Sequence, residues 1–306
     1  MRARVLIVLL AAAAFAGAAA ADVEIYQEHR FEARPGASLL VDVSFHSVEV
    51  IARPGTTVDV AVEIEVKGSG SSSKNAANDL QPQFIDEGGR LIVRSTRSGG
   101  WSWKSVSARG KVVVQMPPGM DLTIDSSSGG ARITGDLGDA VVHFDASSGG
   151  LAVEGAMREL HCDLSSGSVQ VTLDRPVDVF AADASSGSVR LSGGARKARV
   201  DTSSGGIALE GLLGDAHLDA SSGSISAQWD AIPAGATVRA GASSGSVTLR
   251  FPAGTVLAGS VDVSSGGIHT DFPGSMTKDH LTLGGGADAV DVRVETSSGS
   301  VKLLAK

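Results

Sequence analysis

The stretch Val141-Val-His-Phe-Asp-Ala-Ser-Ser-Gly-Gly-Leu-Ala-Val153 decides the fold, because a Ser-Ser-Gly triplet in it joins two alternating apolar patterns. The triplet occurs nine times, and its glycines are Gly129, Gly149, Gly167, Gly187, Gly205, Gly223, Gly245, Gly266 and Gly299. Successive spacings are 20, 18, 20, 18, 18, 22, 21 and 33 residues. Self-similarity at a short, nearly fixed period is typical of a repeat architecture.

Apolar residues recur at fixed distances from each of these glycines. Five residues before them stand Ile124, Phe144, Cys162, Ala182, Val200, Leu218, Ala240, Val261 and Val294. Two residues after them stand Ala131, Leu151, Val169, Val189, Ile207, Ile225, Val247, Ile268 and Val301. Polar residues alternate with the apolar ones, and this period of two predicts a strand, a corner and a second strand in every repeat.

A repeat of this length cannot bury its apolar face alone, so the repeats must stack. We therefore predict an all-β solenoid with about 18–22 residues per coil over residues 122–306. A β-sandwich of hairpins is the alternative, although it would not need the same triplet at every turn.

The region before residue 122 predicts an irregular β N-terminal cap. Residues 42–50 resemble a coil with a degraded corner, and residues 56–66 and 91–93 have strand patterns. Two Ser- and Gly-rich segments, 67–78 and 98–110, predict mobile loops. Near the C-terminus, residues 276–293 predict a hairpin inserted before the last coil.

The N-terminus resembles a secretory signal. Arg2 and Arg4 precede an apolar segment, and Ala19 to Ala21 form a small-residue cleavage site before Asp22. An uncleaved membrane anchor is the alternative, but the apolar segment is short for a bilayer span. The predicted organisation is a signal peptide (1–21), a β cap region (22–121) and the solenoid (122–306), exported to the periplasm, the cell surface or the medium.

Charge and cysteine content restrict the partners. The net charge of −8 would fall to about −10 after removal of the signal. Such an acidic chain is not expected to bind nucleic acid. The single Cys162 cannot form an intramolecular disulfide, and the register places it inside as a small core residue.

Three motifs together resemble the bacterial "putative-adhesin" family of unknown function. They are Val112-Val-Val-Gln-Met-Pro-Pro-Gly-Met-Asp-Leu-Thr-Ile124, the repeated Ser-Ser-Gly-x-Val, and Leu283-Gly-Gly-Gly followed by Glu295-Thr-Ser-Ser-Gly-Ser-Val301. The resemblance covers most of the mature chain. It implies a single-stranded, right-handed parallel β-helix and an extracytoplasmic setting, and it brings no catalytic residues.

Acidic residues occupy the position four residues before most corner glycines, on the predicted outer face. They are Asp125, Asp145, Asp163, Asp183, Asp201, Asp219, Asp262 and Glu295, with Gly241 as the exception. Neighbouring carboxylates about 5 Å apart repel by roughly 1 kcal/mol in water. Corner N–H groups and Ser hydroxyls, nearby arginines (Arg199, Arg239 and Arg293) or a bridging Ca²⁺ could offset this repulsion.

Two histidines extend the candidate chemistry on the same face. His143 with Asp145 and His161 with Asp163 would lie on consecutive coils, where they could hold a divalent metal such as Zn²⁺. Scattered surface histidines are the simpler interpretation. We therefore expect no cofactor, and leave Ca²⁺ or Zn²⁺ open.

Trp101 and Trp103 lie in a Gly- and Ser-rich segment near three basic residues. Exposed aromatic rings can stack on sugars or insert into a partner, whereas the same rings could cover the open first coil.

The sequence thus favours a non-catalytic, exported, adhesin-like structural or binding solenoid whose partners are envelope proteins or surface glycans. A polysaccharide-binding or polysaccharide-cleaving β-helix is the alternative, supported only by analogy of fold.

Overall fold

The computed structural model describes residues 23–68, 71–96, 106–286 and 288–306, which are all-β apart from one short helix. The chain divides into two compact units, residues 1–148 (the first unit) and residues 149–306 (the second unit). Both units are built from two sheets in which most neighbouring strands are parallel. The fold is therefore solenoid-like.

The described residues of the first unit form ten strands and the helix. They are β1 (Val23–Glu32), β2 (Ser38–Val43), β3 (His46–Ala52), β4 (Thr57–Lys67), α1 (Ser71–Asp79), β5 (Gln83–Glu87), β6 (Arg90–Ser95), β7 (Ser107–Met116), β8 (Asp121–Ser128), β9 (Ala131–Asp136) and β10 (Val141–Ser148). One sheet has the order β1-β4-β7-β3-β9 and the other β10-β8-β2-β6-β5. Strand β4 pairs antiparallel with β1 and with β7, and β5 pairs antiparallel with β6.

The second unit contains seventeen strands in the described residues. They are β11 (Leu151–Ala156), β12 (Glu159–Ser166), β13 (Val169–Leu173), β14 (Val177–Ser186), β15 (Val189–Ser192), β16 (Ala195–Ser204), β17 (Ile207–Leu212), β18 (Asp215–Ser222), β19 (Ile225–Trp229), β20 (Thr237–Ser244), β21 (Val247–Phe251), β22 (Leu257–Ser265), β23 (Ile268–Thr270), β24 (Gly274–Met276), β25 (His280–Leu283), β26 (Val290–Ser298) and β27 (Val301–Ala305). One sheet has the order β11-β13-β15-β17-β19-β21-β27-β23, and the other β24-β25-β22-β26-β20-β18-β16-β14-β12.

Alternation along each strand separates core from surface, as the sequence predicts. In β13, for example, Val169 and Val171 are buried while Gln170 and Thr172 are exposed. Burying such a side chain contributes about 1.5–3 kcal/mol, so each coil is stabilised through its neighbours rather than alone. The prediction of strand, Ser-Ser-Gly corner and strand is confirmed.

The corner glycines are required by the stacking of the coils. Gly187 has a φ of +132°, and a Cβ on it would lie 1.7 Å from the carbonyl oxygen of Gly167. Its N–H donates to the Ser204 carbonyl in the next coil at 2.8 Å. The same close approach to a neighbouring corner carbonyl, between 1.9 and 2.1 Å, recurs at Gly167, Gly205, Gly223, Gly245, Gly266 and Gly299. We call these seven residues the corner glycine column.

One coil in each unit is inserted between two coils that follow each other in sequence. In the first unit, β2 and β3 lie between the coil of β6 and β7 and the coil of β8 and β9. In the second unit, β26 and β27 lie between the coil of β20 and β21 and the coil of β22 and β23. The order of coils in space therefore differs from their order in sequence at these two places.

The segment 67–78 is not the loop we predicted from its polar composition. Helix α1 spans Ser71–Asp79. Ala76 and Ala77 within the helix and Leu80 directly after it are buried. These apolar side chains share one helical face, and their burial stabilises the helix. The predicted loop 98–110 becomes strand β7 from Ser107 onward, and residues 97–105 lie outside the described residues.

The predicted hairpin near 276–293 exists with different strands. Strand β25 pairs antiparallel with β24 and with β22. Strand β26, which we assigned to the hairpin, instead pairs in parallel with β20 and β22 as part of the last coil. The reason is that Val292 and Val294 carry the inward pattern of a coil and are buried.

Candidate functional site

The acidic residues predicted from the sequence do form columns on the outer faces of the sheets. In the second unit, the spatial order is Asp163, Asp183, Asp201, Asp219, Gly241, Glu295 and Asp262, each opposite the next in register. We call this set the acidic column. In the first unit, Asp125 lies between Asp42 and Asp145. Glu295 thus precedes Asp262 in space, since the last coil is the inserted one.

Repulsion along these columns is visible in two carboxyl groups. Partial burial raises the pKa of Asp125, and the charges of Asp42 and Asp145 raise it further. Burial also raises the pKa of Asp183, with added contributions from Asp201 and Asp163, while Arg199 lowers it. Burial and the like charges stacked on parallel strands therefore both disfavour the ionised form of these two carboxyl groups.

Gly241 leaves a gap in the acidic column, and a neighbouring side chain fills it. A Cβ on Gly241 would lie 2.3 Å from Oδ1 of Asp219. The other oxygen of Asp219 lies 2.9 Å from Nε2 of His217 on the same strand. The missing carboxylate thus allows Asp219 to lean toward the next strand.

The four residues of the candidate metal site fall in different units. His143 and Asp145 lie on β10 in the first unit, and His161 and Asp163 lie on β12 in the second. The Nε2 atom of His161 lies 3.3 Å from Glu159, an acid the sequence analysis did not include. Within the described residues, no group of three His, Cys, Asp or Glu side chains is arranged to hold a metal ion.

The acidic column ends at a hydrogen-bonded histidine. His280 on β25 faces Asp262 in register, and its Nδ1 lies 2.7 Å from Oδ1 of Asp262. Its Nε2 lies 2.9 Å from Oγ1 of Thr282. All three side chains stand on the outer face, so this constellation fixes the ring of His280 at the surface.

Serines at the corners form hydrogen bonds between neighbouring coils. The Oγ atom of Ser168 accepts from the N–H of Ser188 at 3.3 Å, and Ser246 accepts in the same way from Ser300 at 3.3 Å. These bonds involve the serine after the corner glycine. The two serines before each glycine are exposed in the second unit, and they form a regular hydroxyl surface.

Trp229, the one tryptophan among the described residues, lies in the core. The ring of Trp229 is fully buried, stacks on Phe251 at 4.8 Å, and donates from Nε1 to the Gly214 carbonyl at 2.8 Å. It is therefore unavailable to a sugar. Trp101 and Trp103, our candidate contact residues, lie outside the described residues.

Cys162 is buried, as its register predicts. Burial raises the pKa of its thiol far above the usual range. A buried thiol of this kind is inert as a nucleophile or metal ligand.

A buried histidine that the sequence pattern did not reveal lies at the degraded corner. His46 occupies the position of a corner glycine, is fully buried, and stacks on Phe45 at 4.5 Å. Its Nε2 lies 3.3 Å from Oγ of Ser95, and burial lowers its pKa to about 4. Aligning Asp42 with the later acids would have placed His46 at the corner.

Taken together, the outer faces of the described coils offer repeated carboxylates and hydroxyls. Such surfaces suit contact with an extended partner. No helix in the described residues is long and apolar enough to cross a membrane.

No curated protein matches this sequence. Among solved structures, a "putative lipid binding protein" from Parabacteroides distasonis ATCC 8503 is similar, with a TM-score of 0.51 and 14% identity over 90% of this chain and 96% of that chain. A "putative adhesin" from the same strain has a TM-score of 0.48 and 14% identity over 90% of this chain and 96% of that one. A "putative adhesin" from Bacteroides fragilis NCTC 9343 has a TM-score of 0.40 and 10% identity over 91% and 97% of the two chains. The first of these likenesses supports the fold.

A match to a family model identifies the family, which these distant structures do not. The model described as Toastrack DUF4097 matches residues 40–304, which include most of both inserted coils and the whole acidic column. The adhesin-like resemblance found in the sequence is consistent with this match. This chain therefore belongs to the Toastrack DUF4097 family.

Proposed function

We propose that this chain is a non-catalytic, exported, adhesin-like protein of the cell envelope that binds extended partners through its outer faces. The observation that carries the proposal is the repetition of the same exposed groups from coil to coil. Each of seven coils in the second unit presents two serines, and six of them also present a carboxylate. A partner with its own repeat, such as an envelope protein or a surface glycan, fits this pattern better than a small molecule does. Right-handed winding of the coils is part of the same proposal.

Export rests on the predicted signal in residues 1–21. We expect a C-terminally tagged chain, expressed in its native host, to appear in the envelope or secreted fraction. Its N-terminal sequence should begin at or near Asp22. Recovery in the cytoplasm with Met1 retained would contradict this part of the proposal.

Binding is tested with glycans and with envelope proteins side by side. Purified protein is applied to a glycan array and is used to capture partners from an envelope extract. The matched variants are Asp183→Asn with Asp201→Asn, which remove two charges of the acidic column, and the control Asp79→Asn with Glu87→Gln, which removes two exposed negative charges of the first unit. A partner lost only in the acidic-column variant would support the proposal.

The alternative, a polysaccharide-binding or polysaccharide-cleaving protein, now rests on Trp101 and Trp103, because Trp229 is buried. A glycan hit that is lost in Trp101→Ala or Trp103→Ala would favour this alternative. Turnover of any polysaccharide would overturn the non-catalytic proposal.

One similar structure is described as a lipid-binding protein. Sedimentation of this chain with vesicles of neutral and of anionic lipid gives the corresponding control. An acidic chain should not sediment with anionic vesicles, and sedimentation with both would contradict a protein or glycan partner.

A further inference from the structure

Strand β1 presents a long, regular edge. It pairs with β4 through ten residues in unbroken register, and its other side carries no strand among the residues that the structure describes. In the second unit, the edge strands β23 and β24 have three residues each. Short edges resist strand addition, whereas a long edge without proline or glycine is a template for it.

We propose that β1 pairs with β1 of a second copy of this chain, antiparallel, about a two-fold axis at Gln27. Each residue of β1 then faces the residue equally distant from Gln27 in the second copy. Such an interface is isologous, since the same edge is used twice. Backbone hydrogen bonds would continue the sheet from one copy to the other.

Opposite charges facing each other across the two copies of β1 favour this register. Glu24, Tyr26, Glu28 and Arg30 are exposed on one face of β1. With the axis at Gln27, Glu24 faces Arg30 of the second copy at both ends of the strand, and Tyr26 faces Glu28. Arg30 already contacts Asp59, and its side chain remains 67% exposed, so a second carboxylate can reach it. Opposite charges directly across a strand pair are stabilising.

The neighbouring registers that keep the same faces together are unfavourable. An axis at Tyr26 places Glu24 opposite Glu28 twice. An axis at Glu28 places Glu24 opposite Glu32 twice and Glu28 opposite itself. Like charges directly opposite each other destabilise a strand pair, so among these three registers the axis at Gln27 has the most favourable charge pairing over residues 23–31.

The other face of β1 adds apolar contact in the same register. Ile25 and Phe31 are buried, and the ring of His29 stacks on Phe84 at 4.8 Å. With the axis at Gln27, Ile25 faces His29 of the second copy, and Val23 faces Phe31. The apolar layer under β1 would therefore continue across the axis.

The first test is the mass of the protein in solution. Sedimentation velocity over a concentration series should show a species of twice the mass of the monomer. Glu24→Arg should weaken dimerisation about tenfold, because arginine then faces Arg30 at both ends. Combining it with Arg30→Glu should restore dimerisation. A monomer at all concentrations, or a dimer unaffected by Glu24→Arg, would overturn the proposal.

The second test fixes the register by disulfide formation. Gln27→Cys places two thiols opposite each other at the axis, and the native Cys162 is buried. In the control Glu28→Cys, the two Cα atoms would be about 8 Å apart, too far for a disulfide. We expect a covalent dimer in Gln27→Cys and little in Glu28→Cys, with thermal melting to show that both fold.

Mixing Tyr26→Cys with Glu28→Cys chains gives an independent check, because these positions face each other and should form a mixed disulfide. Equal cross-linking of Gln27→Cys and Glu28→Cys, or none in any variant, would contradict the pairing. If another segment of the same chain covered β1, no variant would form a disulfide.

Discussion

The inserted coils of the two units share a topology but differ at the corner. In the second unit, the inserted coil keeps Ser-Ser-Gly, and a Cβ on Gly299 would lie 2.1 Å from the Gly245 carbonyl oxygen. In the first unit, the inserted coil has Ser44-Phe45-His46, and its histidine is buried. There it is Gly110, on the neighbouring strand β7, that makes room, since its Cβ would lie 2.1 Å from Cδ2 of His46.

The comparison shows two ways of stacking a coil. Where backbone meets backbone, the corner residue itself must lack a Cβ, and every coil needs its own glycine. Where the His46 side chain fills the corner, Gly110 on the adjacent strand makes room for the ring, and the coil on the other side still needs its own glycine, since a Cβ on Gly129 would lie 2.1 Å from the His46 carbonyl oxygen. The first arrangement can be repeated indefinitely, whereas the second makes a unique contact and suits a coil that occurs once.

The largest effect is expected at the corner glycine column. Gly187→Ala would place a methyl group 1.7 Å from a backbone carbonyl oxygen in a residue with φ of +132°. We expect a loss of about 4 kcal/mol or more in the free energy of unfolding, measured by urea denaturation. Gly55→Ala is the control, because nothing lies within 4 Å of its Cβ position. Equal stability of the two variants would refute the stacking requirement.

A double-mutant cycle separates the two corners. Gly110→Ala should lose about 2–3 kcal/mol through its clash with the His46 ring, and much of that loss should disappear when His46→Ala is also present. Gly299→Ala should be destabilising in every background, because its obstacle is a backbone carbonyl that no substitution removes. Additive losses for Gly110→Ala and His46→Ala would show that the two residues are not in contact.

Acid should weaken the first unit through His46. Burial holds its pKa at about 4, below the usual 6.5, so the unfolded chain binds more protons between these values. Stability is therefore full above pH 6.5 and falls as the pH decreases toward 4, by about 2 kcal/mol from pH 7 to pH 4.5.

The measurement is the urea midpoint at both pH values for the native chain and for His46→Gln, which cannot titrate. Because the carboxylates titrate in both proteins, the difference between them isolates His46. An identical pH dependence would show that His46 is not buried as a neutral ring.

The smallest effect concerns the acidic column. Asp183→Asn removes a charge whose pKa is raised by burial and by Asp201 and Asp163. We expect a slight rise in Tm at low ionic strength that shrinks at high salt, because exposed charges are screened. A fall in Tm that is independent of salt would instead indicate that the carboxylate accepts structural hydrogen bonds.

The repeating part of the fold could be predicted from the sequence, because one residue type at one position carries a strong backbone constraint. The corner glycines gave the register, and the register correctly placed Cys162 inside and the acids outside. Their electrostatic coupling, seen at Asp125 and Asp183, also follows from that register.

The order of coils could not be predicted in this way. Every coil has the same alternation of apolar and polar residues, so nothing in β26 and β27 specifies a position between the coil of β20 and β21 and the coil of β22 and β23, rather than beyond the latter. Helix α1 was not predicted because its serines and asparagines are typical of loops. Its apolar face is nevertheless buried through Ala76, Ala77 and Leu80. The metal candidates relied on sequence spacing alone, which did not reveal that Glu159 lies beside His161.

The insertion of the last coil is tested most directly by cysteine pairs on the outer face of the second unit. Lys302 on β27 lies opposite Thr248 on β21 and opposite His269 on β23. We predict disulfides in Thr248→Cys with Lys302→Cys and in His269→Cys with Lys302→Cys. Thr248→Cys with His269→Cys should form none, because a strand separates them. A disulfide in that third pair, with none in the first two, would show that the coils follow sequence order and would contradict the account.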